Sequence, residues 1–124
     1  MIRILLVDDQ SIVRQGWRMR LALEKDITII GEASNGLEAI QLAQSLNPDV
    51  ILLDVEMPVM DGLAAAEKLQ EITARAAVVM VSMYDTAATR ERAQVAGAAA
   101  FVCKQEPVEA LLAAIRQAAA SPSQ

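Results

Sequence analysis

The sequence predicts an α/β protein, a single doubly wound (βα)5 unit around a five-stranded parallel sheet. Three observations carry that reading. Five short apolar runs recur along the chain, they are continuous rather than alternating, and segments of helical length with apolar residues near a 3.6 period separate them. An unbroken Val/Ile/Leu run is what a parallel strand shows when helices cover both of its faces, whereas a strand with one wet face alternates.

The first run, "IRILLV" (2–7), leads into a segment where Val13, Trp17 and Leu21 recur at intervals of four, so Trp17 is expected to pack a helix. The second, "ITIIGE" (27–32), is followed by Asn35, the expected N-cap of a helix that carries Leu37, Ile40 and Leu46 and breaks at Pro48. "DVILLD" (49–54) runs into the loop "MPVMDG" and then a helix bearing Leu63, Leu69 and Ile72. "AVVMVS" (77–82) precedes a helix whose charged stretch "TRERAQ" reads as a solvated face and whose C-terminal cap is expected at Gly97. "AAFVCK" (99–104) precedes a last helix opened by Pro107, with Val108, Leu111, Leu112 and Ile115 along one side. "SPSQ" reads as a tail or the start of a linker, so the expected domain spans 1–120 and positions 121–124 lie beyond it.

Composition narrows the function. A length of 124 residues suits one domain with its own core, and with one Trp, one Tyr and one Phe that core has to be aliphatic. Sixteen acidic against eleven basic residues give a net charge of -5, which repels phosphate backbones, so no direct nucleic-acid binding is expected of this segment. The absence of histidine removes the commonest metal ligand and general base. A lone Cys103 allows neither an intramolecular disulfide nor a thiolate cluster and reads as an inert buried thiol. No apolar run reaches the roughly eighteen residues of a membrane span, and the N-terminus lacks a signal-peptide pattern, so a cytoplasmic protein without membrane attachment is expected.

In doubly wound sheets, ligands bind beyond the carboxyl ends of the strands. Those ends carry Asp8 and Asp9 after the first strand, Asp54 after the third, Ser82 after the fourth and Lys104 after the fifth. Three carboxylates on one edge are costly unless a hard cation shares the site, and oxygen donors without His or Cys point to Mg²⁺. No G-x-x-x-x-G-K-[ST] or G-x-G-x-x-G follows the first strand, so a nucleotide would find no phosphate cradle. A carboxylate can itself accept a phosphoryl group, with a metal ion and a lysine neutralising the transferred charge and a hydroxyl hydrogen-bonding it.

These blocks, "LLVDDQ", "DVILLDVEMPVMDG", "VVMVSMYD" and "GAAAFVCK", stand in the order and spacing of a known family: the chain resembles the receiver domain of two-component response regulators over essentially its whole length. "VRQGWRMRL" and "GAAAFVCK" are most similar to the NarL/FixJ group. The resemblance implies a CheY-like, flavodoxin-like sheet of strand order 2-1-3-4-5, with Asp54 as phosphoacceptor. It implies Mg²⁺ held directly by Asp9, through water by Asp8, and by Asp54 and the backbone carbonyl of Glu56. Lys104 would pair with the phosphoryl oxygens, Ser82 would hydrogen-bond them and act with Phe101 as the switch, and Pro58 would shape the loop after the acceptor. Implied partners are a sensor histidine kinase, a C-terminal helix-turn-helix effector that this chain does not contain, and a second copy in a phosphorylation-dependent homodimer. One departure is Gln105, where the family often has proline after the lysine; a cis Lys104–Gln105 bond would be a non-proline one costing about 2.5–4 kcal/mol, and its isomer stays open.

The expected function is a phosphorylatable signalling switch that catalyses only its own phosphorylation and dephosphorylation, not an enzyme. Two alternatives stand beside it. A phosphatase with an aspartyl-phosphate intermediate would need a cap domain for which the chain has no room, and a phosphorylation-independent pseudo-receiver would show a damaged acidic pocket. Glu56 and Tyr84, two positions after Asp54 and Ser82, are expected to border the path of water to the acceptor.

Overall fold

The computed structural model describes residues 1–57, 62–72 and 76–120. Five strands, β1 (Ile2–Val7), β2 (Ile27–Ala33), β3 (Val50–Asp54), β4 (Ala77–Ser82) and β5 (Ala100–Cys103), alternate with five helices: α1 (Ser11–Leu21), α2 (Gly36–Leu46), α3 (Gly62–Ile72), α4 (Ala87–Val95) and α5 (Val108–Ala120). Every strand pairing is parallel, and the order is β2-β1-β3-β4-β5, the flavodoxin-like arrangement expected. Residues 58–61 of the loop after β3, Pro58 and Met60 among them, residues 73–75 and the tail 121–124 lie outside the described residues.

The continuous apolar runs are explained by two cores, one on each face. On one side Leu5, Val7, Ile51, Leu53 and Met80 pack with Ala39 and Ala43 of α2, Ala65, Ala66 and Leu69 of α3, and Ala93 of α4. On the other, Ile4, Leu6, Val50, Leu52, Val79 and Val81 pack with Leu21 of α1 and Leu111, Leu112 and Ile115 of α5, with Trp17 partly buried against them as expected. Successive residues of one strand therefore enter opposite cores, which excludes the polar alternation of a half-exposed sheet.

The second helix differs in detail from its sequence pattern. Leu37 is exposed, and α2 seats instead on the small Ala39 and Ala43. Small residues let it approach so closely that a Cβ at Gly31 of β2 would lie 2.7 Å from Leu46 Cδ1. The helix closes at Asn47, which takes a left-handed φ of 56° and donates its N–H to the Ala43 carbonyl, one residue before Pro48. Asn35 caps the other end by accepting from Glu38 N–H at 2.9 Å. Gly97, after α4, has φ 95°, the left-handed conformation its cap position calls for. The side chains of Leu63 and Ile72 lie outside the described residues, while Leu69 is buried.

Two strands are shorter than their apolar runs. β3 begins at Val50 because Asp49 turns its carboxylate onto Arg3 N–H at 2.9 Å, and β5 ends at Cys103, leaving Lys104 in the loop that follows. Arg116 of α5 donates to Glu24 and Asp26 at 2.7–3.0 Å, tying that helix to the turn before β2. No described helix is long and apolar enough to cross a membrane.

Candidate functional site

The carboxyl ends of β1 and β3 lie side by side at the centre of the sheet, with β4 and β5 beyond. One carboxylate oxygen each from Asp8, Asp9 and Asp54 falls within 4.8 Å of the others. Asp8 and Asp54 are buried and Asp9 is exposed, so the cluster has a solid floor and one side open to solvent. Asp8 is fixed from several directions: Gln10 N–H donates to its Oδ1 at 2.9 Å, and Arg14 Nη1 donates to its backbone carbonyl. Asp54 Oδ1 accepts from Glu56 N–H at 3.2 Å.

Lys104 completes the cluster. Its Nζ stands 3.2 Å from Asp8 Oδ2 and 3.2 Å from Asp54 Oδ1, so one ammonium bridges two buried carboxylates. Burial, reinforced by the Asp8 charge, pushes the Asp54 carboxyl up to about 7 even though Lys104 and the Glu56 amide pull it down. Burial opposes the charge of Lys104, yet the Asp54 and Asp8 carboxylates outweigh it and hold this group above its ordinary value. One cation facing three carboxylates leaves an anionic excess. Hard oxygen donors without sulfur or imidazole suit Mg²⁺, so these residues fit the ion that the sequence leads one to expect.

Around this core the structure shows a connection that the sequence reading missed. The sequence points to Glu56 for its backbone carbonyl and as a border of the water path, whereas its side-chain carboxylate reaches across to the end of β4. Ser82 Oγ donates to Glu56 Oε2 at 2.7 Å, and Met83 N–H donates to Glu56 Oε1 at 3.1 Å. Tyr84 N–H in turn donates to Ser82 Oγ at 3.0 Å. Ser82 is fully buried, whereas the Tyr84 residue is 62% exposed. Only spacing could have hinted at the Glu56 contact: a carboxylate two residues past the end of one strand, opposite a hydroxyl at the end of its neighbour.

Phe101 does not join the acidic cluster. It is partly buried against the core that contains Ala93, and Arg90 lies over its ring, 4.8 Å from the centroid, while donating to Asp85. The "TRERAQ" stretch is thus largely solvated as expected, with Arg90 as the member that engages an aromatic face. Cys103 is buried, its Sγ 3.8 Å from the Met83 carbonyl it donates to. The described residues contain no cis peptide, so Lys104–Gln105 is trans.

A doubly wound sheet with an acidic, lysine-bridged cluster at the carboxyl ends of its central strands has the architecture of a protein that binds ligands at that edge. More narrowly, the chain belongs to the response regulator receiver domain family, whose model matches residues 4–116. It is 42% identical over 117 residues to the nitrate/nitrite response regulator protein NarL of Escherichia coli (strain K12), a match spanning 94% of this chain and 54% of that protein. It is 39% identical over 119 residues to the transcriptional regulatory protein LiaR of Bacillus subtilis (strain 168), spanning 95% and 56%. The chain therefore covers about half the length of these curated relatives. Among solved structures, a two-component response regulator of the LuxR family from Aurantimonas sp. SI85-9A1 superposes with a TM-score of 0.94 at 28% identity, covering 99% of this chain and 88% of that one. The response regulator domain of Thermotoga maritima CheB superposes with a TM-score of 0.90 at 32% identity, covering 98% of both chains.

Proposed function

We propose that this receiver domain accepts a phosphoryl group on Asp54 from a sensor histidine kinase or a small phosphodonor, in a Mg²⁺-dependent reaction, and uses Ser82 and Phe101 to alter an output surface. The observation that carries the reading is the single ammonium of Lys104 set between Asp8 and Asp54, with Asp9 alongside. In its ionised form Asp54 supplies the attacking oxygen. Lys104 is within ion-pairing reach of that oxygen and would follow the charge onto the transferred group. Held by Asp8, Asp9, Asp54 and the carbonyl of Glu56, Mg²⁺ would neutralise charge on the phosphoryl oxygens and orient them. The pseudo-receiver alternative calls for a damaged pocket, and no damage is seen among these residues.

Intact-mass measurement after exposure to a small acyl phosphate tests the proposal. Wild type should gain one phosphoryl group only when Mg²⁺ is present, and Asp54→Asn should gain none. Equal gain in both proteins would overturn the assignment.

Output is proposed to pass through the end of β4. If Ser82 turns toward the phosphoryl group, the space it leaves lets Phe101 move inward and repack the surface made by α4, β5 and α5. Ser82→Ala is then expected to accept phosphate on Asp54 but to show no phosphorylation-dependent change in Phe101 ring resonances or in self-association. A wild-type response in that variant would remove Ser82 from the mechanism. Relatives about twice as long that are transcriptional regulators support a C-terminal helix-turn-helix as the effector, with residues 1–120 as the receiver unit and 121–124 leading toward it. The proposed setting is the cytoplasm.

Tyr84 is proposed to set the lifetime of the signal. Its N–H donates to Ser82 Oγ, and a ring bordering the approach to Asp54 from there would obstruct the attacking water. Tyr84→Ala should shorten the phosphorylated lifetime by about tenfold, equivalent to ~1.4 kcal/mol of barrier. Decay at fixed Mg²⁺ that is unchanged or slower would contradict this.

A further inference from the structure

We infer that the Glu56 carboxylate is a resident oxyanion in the subsite meant for the phosphoryl group, and that phosphorylation of Asp54 has to evict it. The inference rests on the reading of Asp54 as acceptor and adds what controls access to it. Asp54 and Val81 are register partners in β3 and β4, and Val55 N–H donates to the Val81 carbonyl at 2.9 Å, so the residues after each strand emerge next to each other. On that edge β4 offers two uncharged donors, the Ser82 hydroxyl and the Met83 N–H. Both are engaged by one side chain, at 2.7 and 3.1 Å, each on its own oxygen of Glu56. At the same time Glu56 N–H is held on Asp54 Oδ1 at 3.2 Å, which pins the backbone of residue 56 beside the acceptor while its carboxylate spans to β4.

A phosphoryl group on Asp54 presents three peripheral oxygens. Lys104 lies on the Asp8 side of the acceptor and the Glu56 N–H is held on Asp54 itself; among the described residues, the Ser82 hydroxyl and the Met83 N–H on the β4 side are donors that Glu56 now occupies. A carboxylate and a phosphoryl group take the same donors, and two anions cannot share them without a counter-charge between them. Leaving Ser82 and Met83 therefore costs Glu56 two charge-assisted hydrogen bonds, and retaining them costs the phosphoryl group the same two. Glu56 is a positioning residue in this sense. It holds the Ser82 hydroxyl on its own carboxylate in the resting state and sets the threshold at which that hydroxyl is released.

The test uses beryllium trifluoride, which adds to a carboxylate as a stand-in for a phosphoryl group, titrated into the Mg²⁺-loaded protein and followed by backbone amide resonances. Wild type should bind it, Glu56→Ala about tenfold more tightly, and Glu56→Gln, which keeps an acceptor but loses the charge, to an intermediate degree. Before any beryllium trifluoride is added, the Met83 amide of Glu56→Ala should shift upfield and exchange faster with solvent, because its acceptor is gone. In a Ser82→Ala background the gain from Glu56→Ala should shrink to about threefold. Wild-type binding with no gain in Glu56→Ala would overturn the inference while leaving Asp54 as acceptor. So would a full tenfold gain that persists without Ser82, since that would reduce Glu56 to a distant charge. No binding by any of the proteins would overturn the Asp54 reading, and this inference with it.

Discussion

Lys104→Ala should lower the stability of the Mg²⁺-free protein by about 2–3 kcal/mol, among the largest losses available to a single surface-adjacent side chain. The ammonium ion-pairs with both Asp8 and Asp54, at 3.2 Å each, and removing it leaves two buried carboxylates without that shared counter-charge. Breaking one side of a buried charge pair commonly costs about 3–5 kcal/mol; here protonation of Asp54 relieves part of that. Lys104 Nζ also stands 6.0 Å from the Trp17 ring centroid, and Lys104→Met serves as a control that keeps an unbranched apolar side chain and loses the charge. Urea midpoints at unchanged m-value measure the effect, and Mg²⁺ should restore most of it in both variants by replacing the missing positive charge. A loss below about 0.5 kcal/mol in Lys104→Met would show that the bridge does not hold the cluster together.

Asp54→Asn should have the opposite sign, stabilising the Mg²⁺-free protein by about 1–3 kcal/mol at alkaline pH. Burial and the neighbouring Asp8 penalise the ionised Asp54, whose carboxyl is pushed up to about 7, against ~3.9 for an aspartate in an unfolded chain. Between those two pH values the folded protein holds a proton that the unfolded chain has released, so wild-type stability falls as pH rises across that window. Asparagine does not titrate. Its advantage is therefore absent below about pH 4, grows as pH rises toward 7, and is complete above that. Saturating Mg²⁺ should erase or reverse it, because the ion favours the ionised Asp54 of wild type. Thermal unfolding of both proteins across this pH range, with and without Mg²⁺, checks each part. A destabilised Asp54→Asn at alkaline pH without metal would contradict the charge accounting. If the prediction holds, the site carries destabilising charge for the sake of its chemistry, as functional sites commonly do.

The sheet was legible because its chemistry is repetitive. Val50, Ile51, Leu52 and Leu53 are all fully buried, and only a strand inserted between two cores accounts for four consecutive apolar residues of that kind. The acidic cluster was legible for a related reason: strand ends in a parallel sheet converge, so Asp8, Asp9, Asp54 and Lys104, separated by as many as 96 positions, are neighbours once the topology is known. What stayed hidden depends on side-chain direction rather than on spacing. The period of α2 marks Leu37 and Leu46 as apolar, but it does not reveal that the helix seats on Ala39 and Ala43 and leaves Leu37 exposed. Arg90 belongs to a run of charged residues, and nothing in that run distinguishes the one that lies over Phe101. Glu56 carried a sequence-level role through its backbone, and the rotamer that carries its carboxylate to Ser82 and Met83 is a property of the folded edge.

The most direct measurement of the central claim is chemical. Brief exposure to a small acyl phosphate with Mg²⁺, followed by borohydride, reduces an aspartyl phosphate to homoserine at the residue that carried it, and peptide mapping locates the product. The arrangement of Lys104 between Asp8 and Asp54 predicts homoserine at position 54, in wild type only, and only when Mg²⁺ is present. Homoserine at Asp8, Asp9 or another carboxylate, or none at position 54 with Mg²⁺ present, would contradict it.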